Sequence, residues 1–106
     1  MTTINSRQEF EVLQKKILDW AFDKGILASS DAKTQMLKCV SEVGELADAV
    51  AVRNRNETID AIGDVLVTLI ILAELENMDV VWCLEEAYEI IRARTGQMVE
   101  GVFVKD

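Results

Sequence analysis

Proline is absent from this chain, and glycine occurs five times in 106 residues. Nothing therefore forces a break inside an α-helix, so helix is the default and its ends must be read from caps and polar clusters. Histidine is absent too. That removes imidazole as a general base and excludes His-ligated zinc or iron, together with the Glu-x-x-His pattern of di-iron helix bundles. The two cysteines, Cys39 and Cys83, stand apart with no C-x-x-C, and read as reduced, buried thiols. Aromatic residues make up 6% of the chain and hydrophobic residues 50%, so the core must be aliphatic. This apolar share is at the top of the usual range, which suggests that a second subunit covers part of it. Positive charge is scarce as well, with 11 Lys and Arg against 19 Asp and Glu and a net charge of −8. Such a surface repels nucleic acid backbones and anionic membranes, so neither is expected as a partner. A phosphate-bearing ligand would need a metal ion as its bridge. The longest apolar run, Val65 to Leu75, contains Thr68 and Glu74 and falls well short of the roughly 20 residues of a membrane span. Charged residues from Arg7 to Lys16 interrupt the N-terminal stretch, which does not read as a signal peptide. The expected location is the cytoplasm.

What is present is one domain, residues 1–106, of four helical segments. Ser6-Arg7-Gln8-Glu9 fits a capping box that starts a helix running to about Lys24, with Gly25 ending it in a left-handed conformation. Ser29-Ser30-Asp31 opens a second helix to about Arg53, and Asn54-Arg55-Asn56 is a polar turn. A third helix spans about Glu57 to Glu76. Asp79 caps a fourth that runs to about Thr95, with Gly96 behind it. The residues from Gln97 onward read as a short extended tail lying on a four-helix bundle. Short loops make neighbouring helices antiparallel, so the fold class is all-α.

Two helices carry acids in an informative pattern. Gln35, Lys38, Glu42 and Glu45 fall within an arc of roughly 80° on the second helix. The apolar residues Met36, Val40, Val43, Leu46, Ala47 and Val50 centre roughly 120° away. Two carboxylates one turn apart can converge on one cation, but a stripe of this kind is also what a solvated helix face looks like. Gly44 costs stability inside a helix, and suggests close approach by a backbone or ligand. The third helix is apolar nearly all round, which predicts burial on most sides. Asp60 and Asp64 share one of its faces, with Gly63 between them. A buried carboxylate must be paired or bind a metal. The macrodipole at a helix start covers Asp60 well and Asp64, two turns in, poorly. Packed antiparallel, these two helices would gather four carboxylates. An oxygen-only site points to Mg²⁺, with Mn²⁺ as an alternative.

Gln35…Lys38…Glu42-Val43-Gly44-Glu45-Leu46, followed by Asp60-Ala61-Ile62-Gly63-Asp64-Val65-Leu66, resembles the MazG-type all-α nucleoside triphosphate pyrophosphohydrolases. Their hallmark is E-x-x-E on one helix and E-x-x-D on the next. The segment Arg92 to Lys105 looks like the tail of the small, stand-alone, phage-borne members, and the likeness runs from about Trp20 to the C-terminus. Two departures stand out. Ala61 occupies the place of the second motif's Glu, and Ser41 stands where many members carry a further Glu. Asp60 and Asp64 then form a D-x-x-x-D version. Glu57-Thr58-Ile59-Asp60 fits E-x-x-D literally but lies one turn early.

The resemblance implies Mg²⁺-dependent hydrolysis of a nucleoside triphosphate to monophosphate and pyrophosphate, with Glu42, Glu45, Asp60 and Asp64 as metal ligands. Glu42 is the expected base. Lys38 can meet free phosphate oxygens or simply pair with Glu42. Arg92, Arg94 and Lys105 are further phosphate contacts by resemblance to the tail; otherwise the arginines are favourable charges at a helix C-terminus and Lys105 an ordinary exposed charge. Gln35 is the expected nucleotide contact, and Trp20 either stacks on a base or belongs to the core. The resemblance also implies a homodimer, pairing further into a tetramer. The competing reading is a nucleotide-binding or regulatory helical module with weak turnover, for which Ala61 and Ser41 speak. A plain helical interaction protein without a metal site is the third.

Overall fold

The computed structural model describes residues 5–106. Helix α1 spans Ser6–Asp23, α2 is a single turn at Ile26–Ser29, α3 spans Ala32–Ala51, α4 spans Arg55–Leu75 and α5 spans Val80–Ile91. Strands β1, Gly96–Val99, and β2, Val102–Lys105, complete the chain. The all-α class stands, and no helix among the described residues is long and apolar enough to cross a membrane.

The helix ends follow from short polar side chains. Asn5, rather than Ser6, caps α1: its side chain accepts from the Gln8 amide while Gln8 returns a bond to the Asn5 amide. Asn and Ser compete nearly equally as caps, and the reciprocal Gln8 bond favours the earlier residue. Gly25 has φ of 79°, the left-handed turn expected of it, and leads into the unforeseen turn α2. Asp31 caps α3 through the Thr34 amide, Asn54 caps α4 through the Glu57 amide, and Asp79 caps α5 through the Val81 amide. The expected polar turn at Asn54-Arg55-Asn56 is thus already the start of α4.

The expected extended tail is an antiparallel hairpin, with Met98 opposite Phe103 and Val99 opposite Val102. Its two-residue turn, Glu100-Gly101, has positive φ at both positions. That is the geometry whose twist matches a strand pair, and it is why the chain folds back on itself. All eight strand residues are exposed, so the hairpin does not lie packed on the bundle.

Helix α4 is the centre of the molecule and packs on α3, α1 and α5. The radius of gyration is 16.3 Å, against about 13 Å for a compact chain of this length. The shortfall in packing is local. On α3 the face against α4 is Gln35, Cys39, Glu42, Leu46 and Ala49, at alternating spacings of four and three. Most of the apolar stripe, Leu46 excepted, faces away: Val40 is 57% and Val43 48% exposed, with Met36 and Val50 similar. The small residues Cys39 and Ala49 are buried on α3 and Ala61 on α4, while most of the aliphatic bulk of α3 lies outside. Helix α4 is likewise not enclosed, since Ile59, Ile62 and Leu66 are about half exposed. At Gly44 and Gly63 an added Cβ would meet nothing within 4 Å, so the expected close approaches are not made within one chain.

Candidate functional site

The inward stripe of α3 brings Glu42 into the groove against α4. Lys38, one turn earlier, places its Nζ 2.9 Å from Glu42 Oε1. The Glu42 side chain is only 8% exposed whereas that of Lys38 is 59% exposed. The other carboxylate oxygen, Oε2, is buried with no hydrogen-bond partner. Buried polar atoms are nearly always satisfied, and an exception needs a physical explanation.

Neighbouring acids sharpen that need. The hydrogen bond from Lys38 is the main reason the Glu42 carboxyl is held below the usual carboxylate range. Glu45 is pushed up, first because its carboxyl can share a proton with Glu42 and then by the negative charge there. Asp64 is also raised, first by burial and then by the charges of Asp60 and Glu42. Lys38 is held above its ordinary value by Glu42 first, with smaller contributions from Glu45 and Asp64. Lys38, Glu42, Glu45 and Asp64 therefore share one electrostatic field with a surplus of negative charge. Asp60 is exposed and acts on this group through Asp64; it lines a shallow cleft toward Phe10, Gln14 and Ile17 of α1.

The donor set fits a hard cation, because every ligand is a carboxylate oxygen and one oxygen is buried and unpaired. The fit is not that of a finished cage. Among the described residues no three acids are gathered closely enough to enclose an ion, so holding one there would require side chains to close in.

The expected substrate contacts divide into near and far. Gln35 lies two turns before Glu42 on the same buried stripe, and its Nε2 donates to Ser30 Oγ at 3.0 Å. Together with Lys24, Gly25, Ile26, Ser29 and Thr34 these two residues line an open recess of mixed polarity. Ser30 read in the sequence only as part of a helix start; its position five residues before an inward-facing Gln35 was the available signal. Trp20 is half-exposed on α1, not a core residue. Arg92 Nε is bonded to Glu89 at 2.9 Å. Arg94 and Lys105 are exposed. Among the described residues no ion pair joins these three to the acids of α3 and α4.

Residues 30–82 match the family model described as the MazG nucleotide pyrophosphohydrolase domain. That segment is half of the chain and contains every acid of the site. The chain is also 36% identical over 72 residues to an uncharacterized 18.2 kDa protein in the rep-hol intergenic region of Haemophilus phage HP1. The alignment covers 67% of this chain and 44% of that protein, so the chain spans less than half of that relative's length. No solved structure matches it. The family is one of nucleotide pyrophosphohydrolases and is generally metal-dependent. On this match, centred on the helix pair that carries Glu42 and Asp64, the chain belongs to the MazG nucleotide pyrophosphohydrolase domain family.

Proposed function

We propose that the protein is a Mg²⁺-dependent nucleoside triphosphate pyrophosphohydrolase that converts a (d)NTP and water to (d)NMP and pyrophosphate. The observation that carries this reading is the buried, unpaired oxygen of Glu42 beside Glu45 and Asp64. Glu42 and Asp64, with the exposed Glu45 and Asp60, would hold the ion. When bound, it neutralises triphosphate charge and polarises the α-phosphate.

The chain's own residues supply the remainder. Glu42 is the proposed acceptor of the attacking water's proton. Lys38, largely exposed, can swing to phosphate oxygens that the metal leaves free. Gln35, steadied by Ser30, offers both a donor and an acceptor to the nucleotide, and Trp20 offers a stacking face. Arg92, Arg94 and Lys105 would act on a substrate held by a partner subunit, since nothing ties them to α3 in their own chain. The proposed assembly is a homodimer, pairing further into a tetramer, and the outward apolar stripe of α3 supports it.

A second reading, a nucleotide-binding module with weak turnover, draws on Ala61. This side chain is buried on α4, where the family's second motif would point a carboxylate into the groove. Incubation with a panel of NTPs and dNTPs, with and without Mg²⁺, separates the two. Metal-dependent release of monophosphate and pyrophosphate, lost in a folded Glu45→Gln/Asp64→Asn variant, is the expected result. Metal-dependent nucleotide binding without pyrophosphate release would favour the module. Neither binding nor turnover would refute both.

A further inference from the structure

We propose that Lys38 is an internal stand-in for the metal ion: in the metal-free protein its ammonium occupies Glu42, and an incoming divalent cation must displace it. The inference rests on Glu42 being an ion ligand, and it adds a built-in competitor that sets the ion affinity and is released toward the substrate.

Two observations carry it. First, the pair is asymmetric. Glu42 is more than nine-tenths buried while Lys38 is largely exposed, so the lysine can return to water and the carboxylate cannot. In an ordinary i,i+4 pair on a helix surface both partners are wet and either can leave. Second, the lysine satisfies only one carboxylate oxygen; Oε2 stays buried and unpartnered, so the site is neutralised in charge but incompletely bonded. An ion drawn to Oε2 meets the Lys38 ammonium across the same carboxylate, and two cations there repel each other, so binding of the ion favours release of the exposed lysine.

The test is Mn²⁺ binding to the full-length, metal-free protein, followed by the electron paramagnetic resonance of free Mn²⁺, with no nucleotide present. Lys38→Gln and Lys38→Met are compared with the unaltered chain. Lys15→Gln is the control, since it removes the same charge from an exposed pair with Asp19 on α1. Expected is a roughly tenfold tightening of Mn²⁺ binding in both Lys38 variants, the worth of one charge-assisted hydrogen bond, with Lys15→Gln unchanged. In chelator the Lys38 variants should melt lower, and Mn²⁺ should raise their Tm by more than it raises that of the unaltered chain. A lysine that merely supports the fold would weaken Mn²⁺ binding when removed. Unchanged or weaker binding in both variants overturns the proposal, as does equal tightening in Lys15→Gln. If the unaltered chain and both variants all fail to bind Mn²⁺, the reading of the acids as an ion site falls first.

Discussion

The outward stripe of α3 supports a direct test of the proposed assembly. Met36, Val40, Val43 and Val50 are each about half exposed. Completing the burial of such a side chain is worth roughly 0.7–1.5 kcal/mol, half the value for full burial. Four positions on each of two copies give a gross gain of roughly 6–12 kcal/mol. Association costs about 4–15 kcal/mol in lost freedom, so the stripe alone is marginal. The apolar groove beside it, with Leu66, Leu69, Met78 and Leu84, must join the same interface. Val40→Glu with Val43→Glu keeps good helix formers but removes roughly 3–6 kcal/mol from a two-fold interface and buries four carboxylates besides. The dimer dissociation constant should rise at least about a hundredfold, as measured by sedimentation equilibrium. The rise should persist at high salt, where simple repulsion between two acidic chains is screened. An unaltered chain that is monomeric at tens of micromolar, or a double variant that dimerises as well as its parent, would refute the argument that these residues are covered by a second copy.

Three further outcomes follow from the geometry. Asp64→Asn should raise the melting temperature of the metal-free protein, because it removes a carboxyl that burial and like charges disfavour, while turnover falls at least about a hundredfold; a lower melting temperature would mean that Asp64 is favourably paired. Without metal, stability should rise as pH falls from 7 to about 4–5 and decline below that, as thermal melts in chelator would record. Glu45 and Asp64 are raised when folded, so the folded state takes up their protons first and gains stability as pH falls through their values toward the ordinary ones near 4. Asp31, Asp79 and Glu42 are lowered, so the stability they give is present above the ordinary value and lost as pH falls through their folded ones; a monotonic fall from pH 7 would contradict this balance. Finally, Asp79→Ala removes the α5 cap and the partner of the buried Gln14 amide, since one oxygen accepts from both, and should cost about 1–3 kcal/mol. For a chain of this size that lowers Tm by about 4–8 °C per kcal/mol, and an unchanged Tm would show that the cap is carried by solvent.

Local interactions were legible in the sequence because they need only a few residues. Asp31, Asp79 and Gly25 act within one turn of themselves, and the absence of proline leaves helix as the default. The alternation after Gly96 was visible, but pairing it into a hairpin depended on two consecutive left-handed residues at Glu100 and Gly101. The motif acids could be named from spacing, because positions three and four apart share a helix face whatever lies opposite. Which way that face turns is not a local property. Ordinary amphipathic reasoning sends Glu42 to water and Val40 and Val43 to the core, and the tertiary structure does the opposite. Small buried residues, Cys39 and Ala49 on α3 and Ala61 on α4, fit a close approach of two helices, which bulky aliphatic side chains would hold apart. The sequence alone thus determined the four long helices, the caps at Asp31 and Asp79, and the family's acids. Only the packing of α3 on α4 decided that Glu42 is enclosed with one oxygen unpaired, that Lys38 is its removable partner, and that the apolar stripe faces outward.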